Sequence, residues 1–247
     1  MTAECKWLTP LFSLNPRLEL AVADVEYVIG VDEVGLGSWA GPLVVAGIVL
    51  PKEWVCPAVK DSKAYHDTRS KVAHIQRLEA LSAHIEKAEK FSWIAMRTPE
   101  EIDKVGIHKS VADATEEAVR KCHERYPQAL VVLDGNQEVQ YDFVPKDLLI
   151  ALPKADTIVP AVSAASVMAK VSRDLIMLHL HQEFPRYGFD KHKGYGTPQH
   201  LRAIREHGVC PAHRHSYRPV KTAMFQKKLT HQPFREHLIK TGSGGGK

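Results

Sequence analysis

Apolar and polar positions along the chain follow two periods in turn. Glu26–Val31 and Leu43–Leu50 are short apolar runs, the second bounded by Pro51, and both read as strands. Asp32–Pro42 between them is interrupted by Gly35, Gly37 and Gly41, so the pair is expected to form a hairpin. The period then changes. Val72, Ile75, Leu78, Leu81 and Ile85 recur at three- and four-residue spacing, which predicts a helix over Asp67–Lys90. Phe91–Met96 is a third strand. Thr98-Pro99-Glu100-Glu101 is a helix start, with a capping hydroxyl, a first-turn proline and acids at the positive dipole end. That helix is expected to run to about Glu124. Ala129–Asp134, stopped by Gly135, and Leu148–Leu152 are two further strands. Pro160–His181 is a long helix with Ala161, Ala164, Ala165 and Ala169 on one face, where small side chains allow close approach to a sheet. Thr197–His207 is another. The order predicts an α/β fold, a mixed sheet flanked by helices with a helical C-terminal extension.

Composition adds limits. The chain has 247 residues, 44% hydrophobic and 25% charged, which excludes a mostly disordered or collagen-like protein. The expected organisation is an N-terminal arm (1–24), a core (25–196), a basic helical region (197–240) and a flexible Gly-rich tail (241–247). The longest apolar run, Pro42–Pro51, is strand-sized, against the roughly 20 residues of a membrane span. The first 25 residues lack the pattern of a secretory signal. Cys5, Cys56, Cys122 and Cys210 are scattered without a C-x-x-C, so neither a zinc site nor a disulfide framework is signalled. A reducing cytoplasm is the expected compartment. Charge is uneven. Residues 191–247 carry 12 Lys/Arg against 2 Asp/Glu, a net of +10, whereas the rest carries 21 against 27, a net of −6. A basic C-terminal fifth on an acidic body suits a polyanionic partner.

Four acids stand where strands or loops end: Asp32 and Glu33 after VIGV, Asp134 after ALVVL, and Asp156 before the Ala-rich helix. Such positions project into the crevice at a sheet's edge, where ligands of α/β proteins bind. Converging carboxylates repel one another, and a hard divalent ion with oxygen preference relieves that repulsion. Singly, each acid also suits a turn or a helix cap. Gly35-Leu36-Gly37 follows the first pair of acids and lacks the third glycine of a dinucleotide motif, since position 40 is Ala40. His192-Lys193-Gly194-Tyr195-Gly196-Thr197 sets an aromatic ring among glycines and cations, which suits nucleic acid, or a turn around a core tyrosine.

In combination these segments resemble the type 2 ribonucleases H (ribonuclease HII). The resemblance rests on Asp32-Glu33-Val34-Gly35-Leu36-Gly37, Ala40-Gly41-Pro42, Asp61-Ser62-Lys63, Leu133-Asp134-Gly135 and Asp156 with Ser163-Ala164-Ala165-Ser166. It continues through Ala169-Lys170-Val171-Ser172-Arg173-Asp174, the Tyr195 motif and His213-Arg214-His215-Ser216-Tyr217, so that it spans about residues 26–220 in order.

The resemblance implies a ribonuclease H-like fold. It implies an endonuclease that cuts the RNA strand of RNA–DNA hybrids and nicks duplex DNA 5′ of an embedded ribonucleotide. The implied metal ligands and catalytic acids are Asp32, Glu33, Asp134 and Asp156, holding two Mg²⁺ or Mn²⁺ ions about 3.5–4 Å apart for in-line hydrolysis to 5′-phosphate and 3′-hydroxyl ends. By analogy Asp32 bridges the ions, Asp156 serves the water-activating one, and Glu33 and Asp134 the other. Backbone groups of Glu33 to Gly37, including Gly35, Leu36 and Gly37, are expected to read the ribose 2′-hydroxyl. Tyr195 is expected to stack on the next sugar. Lys63, Lys170 and Lys193 are candidate phosphate contacts, and Ser163 and Ser166 either touch substrate or allow close packing. A monomer without membrane attachment is implied, and contact with a sliding clamp or polymerase is left open. Three departures stand out. Leu36 replaces the usual Arg or Lys between the glycines, and a charge-assisted hydrogen bond is worth about 1.5–3 kcal/mol. Trp39 in Ser38-Trp39 either stacks on nucleic acid or fills core. Gly106-Ile107 stands in place of Asn-Ile. The alternatives are a ribonuclease HIII-like preference for long hybrids, a non-cleaving binding protein on the same fold, and a DNA resolvase.

Overall fold

The structure, a computed structural model, describes Trp7 and residues 24–56, 71–135 and 139–230. Nearly all of the expected arm, the Asp61-Ser62-Lys63 segment with its candidate lysine, and the Gly-rich tail lie outside the described residues.

Strands β1 (Tyr27–Val34) and β2 (Leu43–Pro51) form the expected antiparallel hairpin, with Asp32 opposite Ala46. Helix α1 (Lys71–Ala88) leads to β3 (Phe91–Arg97), which pairs antiparallel with β2. After two helices, α2 (Pro99–Val105) and α3 (Ile107–Arg125), the chain enters β4 (Leu130–Asp134), which runs parallel to β1. Strand β5 (Leu149–Leu152) pairs parallel to β4. The result is one mixed five-stranded sheet in the order β3-β2-β1-β4-β5. A short helix α4 (Ala155–Ile158) and a long helix α5 (Pro160–Glu183) follow. The C-terminal region adds α6 (Phe189–His192), α7 (Pro198–His207) and α8 (Arg218–Thr230).

The single helix expected from Thr98 to about Glu124 is two helices. Gly106 breaks it at φ 83° and ψ 157°, a backbone conformation that costs a Cβ-bearing residue heavily. Thr98 caps α2 as its residue types predict: its hydroxyl accepts from the Glu101 N–H, and the Glu101 carboxylate accepts from the Thr98 N–H.

Alternation along the strands gives each face of the sheet its own core. Val28, Val44, Ile48, Leu130 and Val132 pack against Ala161, Ala164, Ala165 and Ala169 of α5. Ile29, Val31, Val45, Val131 and Leu133 pack against Ile102 of α2 and Ala114, Ala118 and Val119 of α3. The alanine face does what its composition predicts, bringing α5 close to β1. At Gly30 a Cβ would lie 2.1 Å from the Ala161 carbonyl carbon, so strand and helix backbones touch there. Among the described residues Cys56, Cys122 and Cys210 are free thiols, and no helix is long and apolar enough to cross a membrane.

Candidate active site

The topology gathers three of the four acids. In the parallel pairing Val31 faces Leu133, so Asp32 and Asp134 stand one residue further on neighbouring strands, on the α5 side of the sheet. Asp156 follows in the first turn of α4. One carboxylate oxygen from each of Asp32, Asp134 and Asp156 lies within 4.8 Å of the others. Asp32 and Asp156 are buried.

Local hydrogen bonds orient the group. Asp134 Oδ1 accepts from the Ala155 N–H at 3.0 Å, which ties the end of β4 to the start of α4 beside Asp156. Lys154, left-handed at φ 60°, turns the chain into that helix. The Ser163 hydroxyl donates to the Asp156 carbonyl and also contacts the Val159 carbonyl at 3.2 Å. Asp32 Oδ1 accepts from the Glu33 N–H at 2.8 Å.

Burial pushes the Asp32 carboxyl up to about 7, the Ser166 hydroxyl opposes that rise, and the charges of Glu33 and Asp134 add to it. Asp32 is thus near half-protonated at neutrality, because burial first and the neighbouring carboxylates next disfavour its charged form, with no positive charge among the described residues to offset them. A divalent cation would answer the same need. The donors are all hard carboxylate oxygens, with no thiolate or imidazole among them, which fits Mg²⁺ or Mn²⁺.

Glu33 is not in this group of three. Adjacent strand residues face opposite sides. Glu33 therefore shares the side of Ile29 and Val31, although its charge reaches Asp32.

The remaining candidates surround the trio unevenly. Ser166 bonds to Asp32 itself, whereas Ser163 is buried and turned toward the Asp156 backbone. After β1, Gly35, Leu36 and Gly37 form the turn, with the Leu36 side chain 42% exposed. The glycine loop meets the tyrosine loop directly, since the Trp39 and Ala40 N–H groups donate to the Gly194 carbonyl at 2.8 and 3.2 Å. Tyr195 keeps 38% of its surface exposed, and the Arg173 guanidinium lies 5.4 Å from its ring centre. Lys170 pairs with Asp174 at 2.5 Å, and Lys193 Nζ donates to the Asp190 carbonyl at 2.8 Å. Of the two readings of Trp39, packing describes it. Its ring fills the space beside Gly196, lies 5.5 Å from His200 and joins the cluster of Ile204, Val220 and Ala223.

Several residues around these loops, most of them within the motifs quoted above, receive no role from the sequence. Arg173 and Arg214 are fully buried. His192 and His200 stack at 4.4 Å, and His200 Nε2 lies 3.0 Å from His213 Nε2. His200 Nδ1 meets the Tyr195 carbonyl at 3.0 Å. Burial lowers His200 to about 4 and, with His200 beside it, His213 to about 3, so both are neutral imidazoles near pH 7. The motif at 192–197 contains one member of this cluster, His192. The spacing of His200 and His213 does not signal the others.

The ribonuclease HII family profile matches residues 29–220. A ribonuclease HII of Bordetella pertussis is 38% identical over 195 residues, covering 78% of this chain and 90% of the relative. The ribonuclease H2 of Pyrococcus horikoshii superposes with a TM-score of 0.57 at 22% identity, over 82% of this chain and 99% of that one. Bst-RNase HIII in complex with Mn²⁺ gives a TM-score of 0.63 at 18% identity, over 85% and 73% of the two chains. These structures share the fold.

Proposed function

The chain belongs to the ribonuclease HII family, a family of hydrolytic endoribonucleases, and we propose that it cuts the RNA strand of RNA–DNA hybrids and nicks duplex DNA 5′ of an embedded ribonucleotide. The products are 5′-phosphate and 3′-hydroxyl ends. The observation that carries this reading is the convergence of Asp32, Asp134 and Asp156 beside the glycine and tyrosine loops.

Asp32, Asp134 and Asp156 would hold Mg²⁺ or Mn²⁺, and Glu33, at the end of β1 with its charge reaching Asp32, would complete the set. A pair of ions bound there supplies Lewis acidity for the attacking water and the leaving 3′ oxygen. Asp32 must lose its proton to serve, so cation binding strengthens as pH rises through about 7. The Asp134 carboxylate is held by the Ala155 N–H and the Asp156 main chain is pinned by Ser163, so both positions are set before substrate arrives. Ser163 therefore positions an acid and does not touch substrate, and Ser166 sets the Asp32 carboxylate. Gly35, Leu36 and Gly37 read the 2′-hydroxyl through their backbone, and the exposed face of Tyr195 stacks on the adjoining sugar. Lys170 and Lys193 meet phosphate from the rim, and Lys63 is proposed to do so from outside the described residues. The basic region from 197 onward extends this contact along the duplex.

The test uses end-labelled duplexes carrying one ribonucleotide, four ribonucleotides, a full RNA strand or DNA alone, with Mg²⁺ or Mn²⁺. Cleavage of the first three and of no all-DNA duplex is expected, with 5′-phosphate ends on the products. Binding without cleavage would overturn the catalytic reading, and cutting of all-DNA junctions would point to a resolvase.

A further inference from the structure

Arginine is seldom fully buried without a partner carboxylate. Arg173 and Arg214 are both fully buried, with the charge of Asp174 acting on the first and that of Asp103 on the second. The hydrogen-bond partners of both are main-chain carbonyls. Arg173 donates from Nε to Pro42 O at 2.9 Å, from Nη2 to Ala40 O at 3.0 Å and from Nη1 to Lys193 O at 2.9 Å. Arg214 donates from Nε to Gly41 O at 3.0 Å and from Nη1 to Gly35 O at 2.7 Å and Leu36 O at 3.1 Å. The Tyr217 hydroxyl accepts from Arg214 at 2.9 Å and donates to Leu36 O at 2.6 Å. Two guanidinium groups thus take the carbonyls of residues 35, 36, 40, 41 and 42, and one of them also takes a carbonyl of the tyrosine loop. The Arg214 N–H completes the joint by donating to Trp39 O at 2.8 Å.

We infer that Arg173 and Arg214 are positioning residues that fix the glycine loop and the tyrosine loop as one rigid substrate-reading edge. This rests on the function proposed above. In a trans peptide the N–H points opposite the C=O. Drawing the Gly35 and Leu36 oxygens toward Arg214 therefore turns the Leu36 and Gly37 N–H groups away from it, as donors for an oxygen of the ribonucleotide. Arg173 sets the second reader through the Lys193 carbonyl and its place over the Tyr195 ring. A planar fork aims five donors in fixed directions, whereas a compact lysine ammonium has three and cannot reach all of these carbonyls in place. The spacing between 2′-hydroxyl reader and sugar-stacking ring is consequently held by side chains that never touch substrate.

The experiment compares wild type, Arg173→Lys, Arg214→Lys and Tyr217→Phe on the single-ribonucleotide duplex and the full hybrid, with Mn²⁺ binding and thermal melting measured alongside. A misplacement of about 1 Å costs roughly 10²-fold in rate, so kcat/KM of each lysine variant on the single ribonucleotide is expected to fall by about that factor. The full hybrid, which offers many ribonucleotides to bind, is expected to lose less than about tenfold. Mn²⁺ binding at the acids is expected to stay at the wild-type level. Tyr217→Phe removes one hydroxyl from a partly exposed ring and is expected to shift the same ratio by a few-fold; it decides the matter if a lysine variant does not fold. Folded, Mn²⁺-binding variants that keep the wild-type ratio, or lose both substrates equally, would overturn the inference alone. A wild-type protein that cleaves neither substrate would overturn the proposed function, and this inference with it.

Discussion

The acid trio and the arginine-bound loops lie a few residues apart on the chain, with Asp32 in β1 and Gly35 just beyond it, and both bury like charges. They settle the cost of doing so differently. Around the arginines, carbonyl dipoles from residues 35 to 42 accept from both guanidinium groups, and although burial lowers the pKa of both and leaves Arg214 Nη2 without a hydrogen bond among the described residues, the positive charge stays within the fold. Around the acids, two N–H groups and a serine hydroxyl help, yet Asp32 is still driven up to about 7. One region keeps its charge at neutral pH, with Arg173 lowered by burial only to about 10, and shapes the backbone. The other is left short of positive charge and is suited to receive it from outside. Charge left uncompensated inside a protein is the better pointer to chemistry.

Removing one acid should separate the two regions most sharply. Asp134→Asn is expected to lower kcat by about 10³-fold or more, since metal-assisted charge stabilisation is worth several kcal/mol. Its circular-dichroism melt should stay within a few degrees of wild type; collapse of the fold would make Asp134 a structural residue instead. Next in size is the stability of metal-free Asp32→Asn. The native carboxyl titrates near 7 and the unfolded one near 3.8, so the unfolded chain gives up its proton first as pH rises. Wild-type stability therefore falls between about pH 4 and 7, and the full cost stands above 7. Asp32→Asn is expected to gain on the order of a few kcal/mol over wild type at pH 8 and nothing near pH 4, as read from urea titrations. A pH-independent difference would contradict the shortage of positive charge. Mn²⁺ at a hundred times its dissociation constant should stabilise wild type by about 2.7 kcal/mol, and Asp134→Asn should lose most of that gain. The smallest effect belongs to the loop. Leu36→Arg adds an exposed cation where the carbonyl is already held, and should tighten binding of a ribonucleotide duplex by about tenfold with a steeper salt dependence. Unchanged binding would mean that position 36 does not reach phosphate.

Much of the fold was legible because strand and helix periods differ plainly in this chain. VIGV, LVVAGIVL and ALVVLD carry the apolar runs of buried strands, and the alanines of Pro160–His181 foretell the close contact at Gly30. The acids were legible for a related reason, since each follows such a run or opens a helix. Glu33 shows the limit of that logic. Adjacency to Asp32 proposes Glu33 for the same site, and strand pleating, which turns neighbouring side chains apart, leaves the charge that reaches Asp32 as the support for it. Gly106 was visible as a residue but not as a break, because the helical pattern continues on both sides. Arg173 and Arg214 were least legible. A buried cation and a surface cation are spelled alike, and all but one of the carbonyls that distinguish them come from segments more than a hundred residues away.

The parallel pairing of Val31 with Leu133 has a consequence for how this protein comes alive. Side chains alternate along β4, so a slip of a single position would carry Asp134 through to the far side of the sheet. No half-correct alignment would hold the three acids together. A nascent or misaligned chain would therefore be harmless to nucleic acid, and the ability to capture a cation would announce that the central strands had locked in their native alignment.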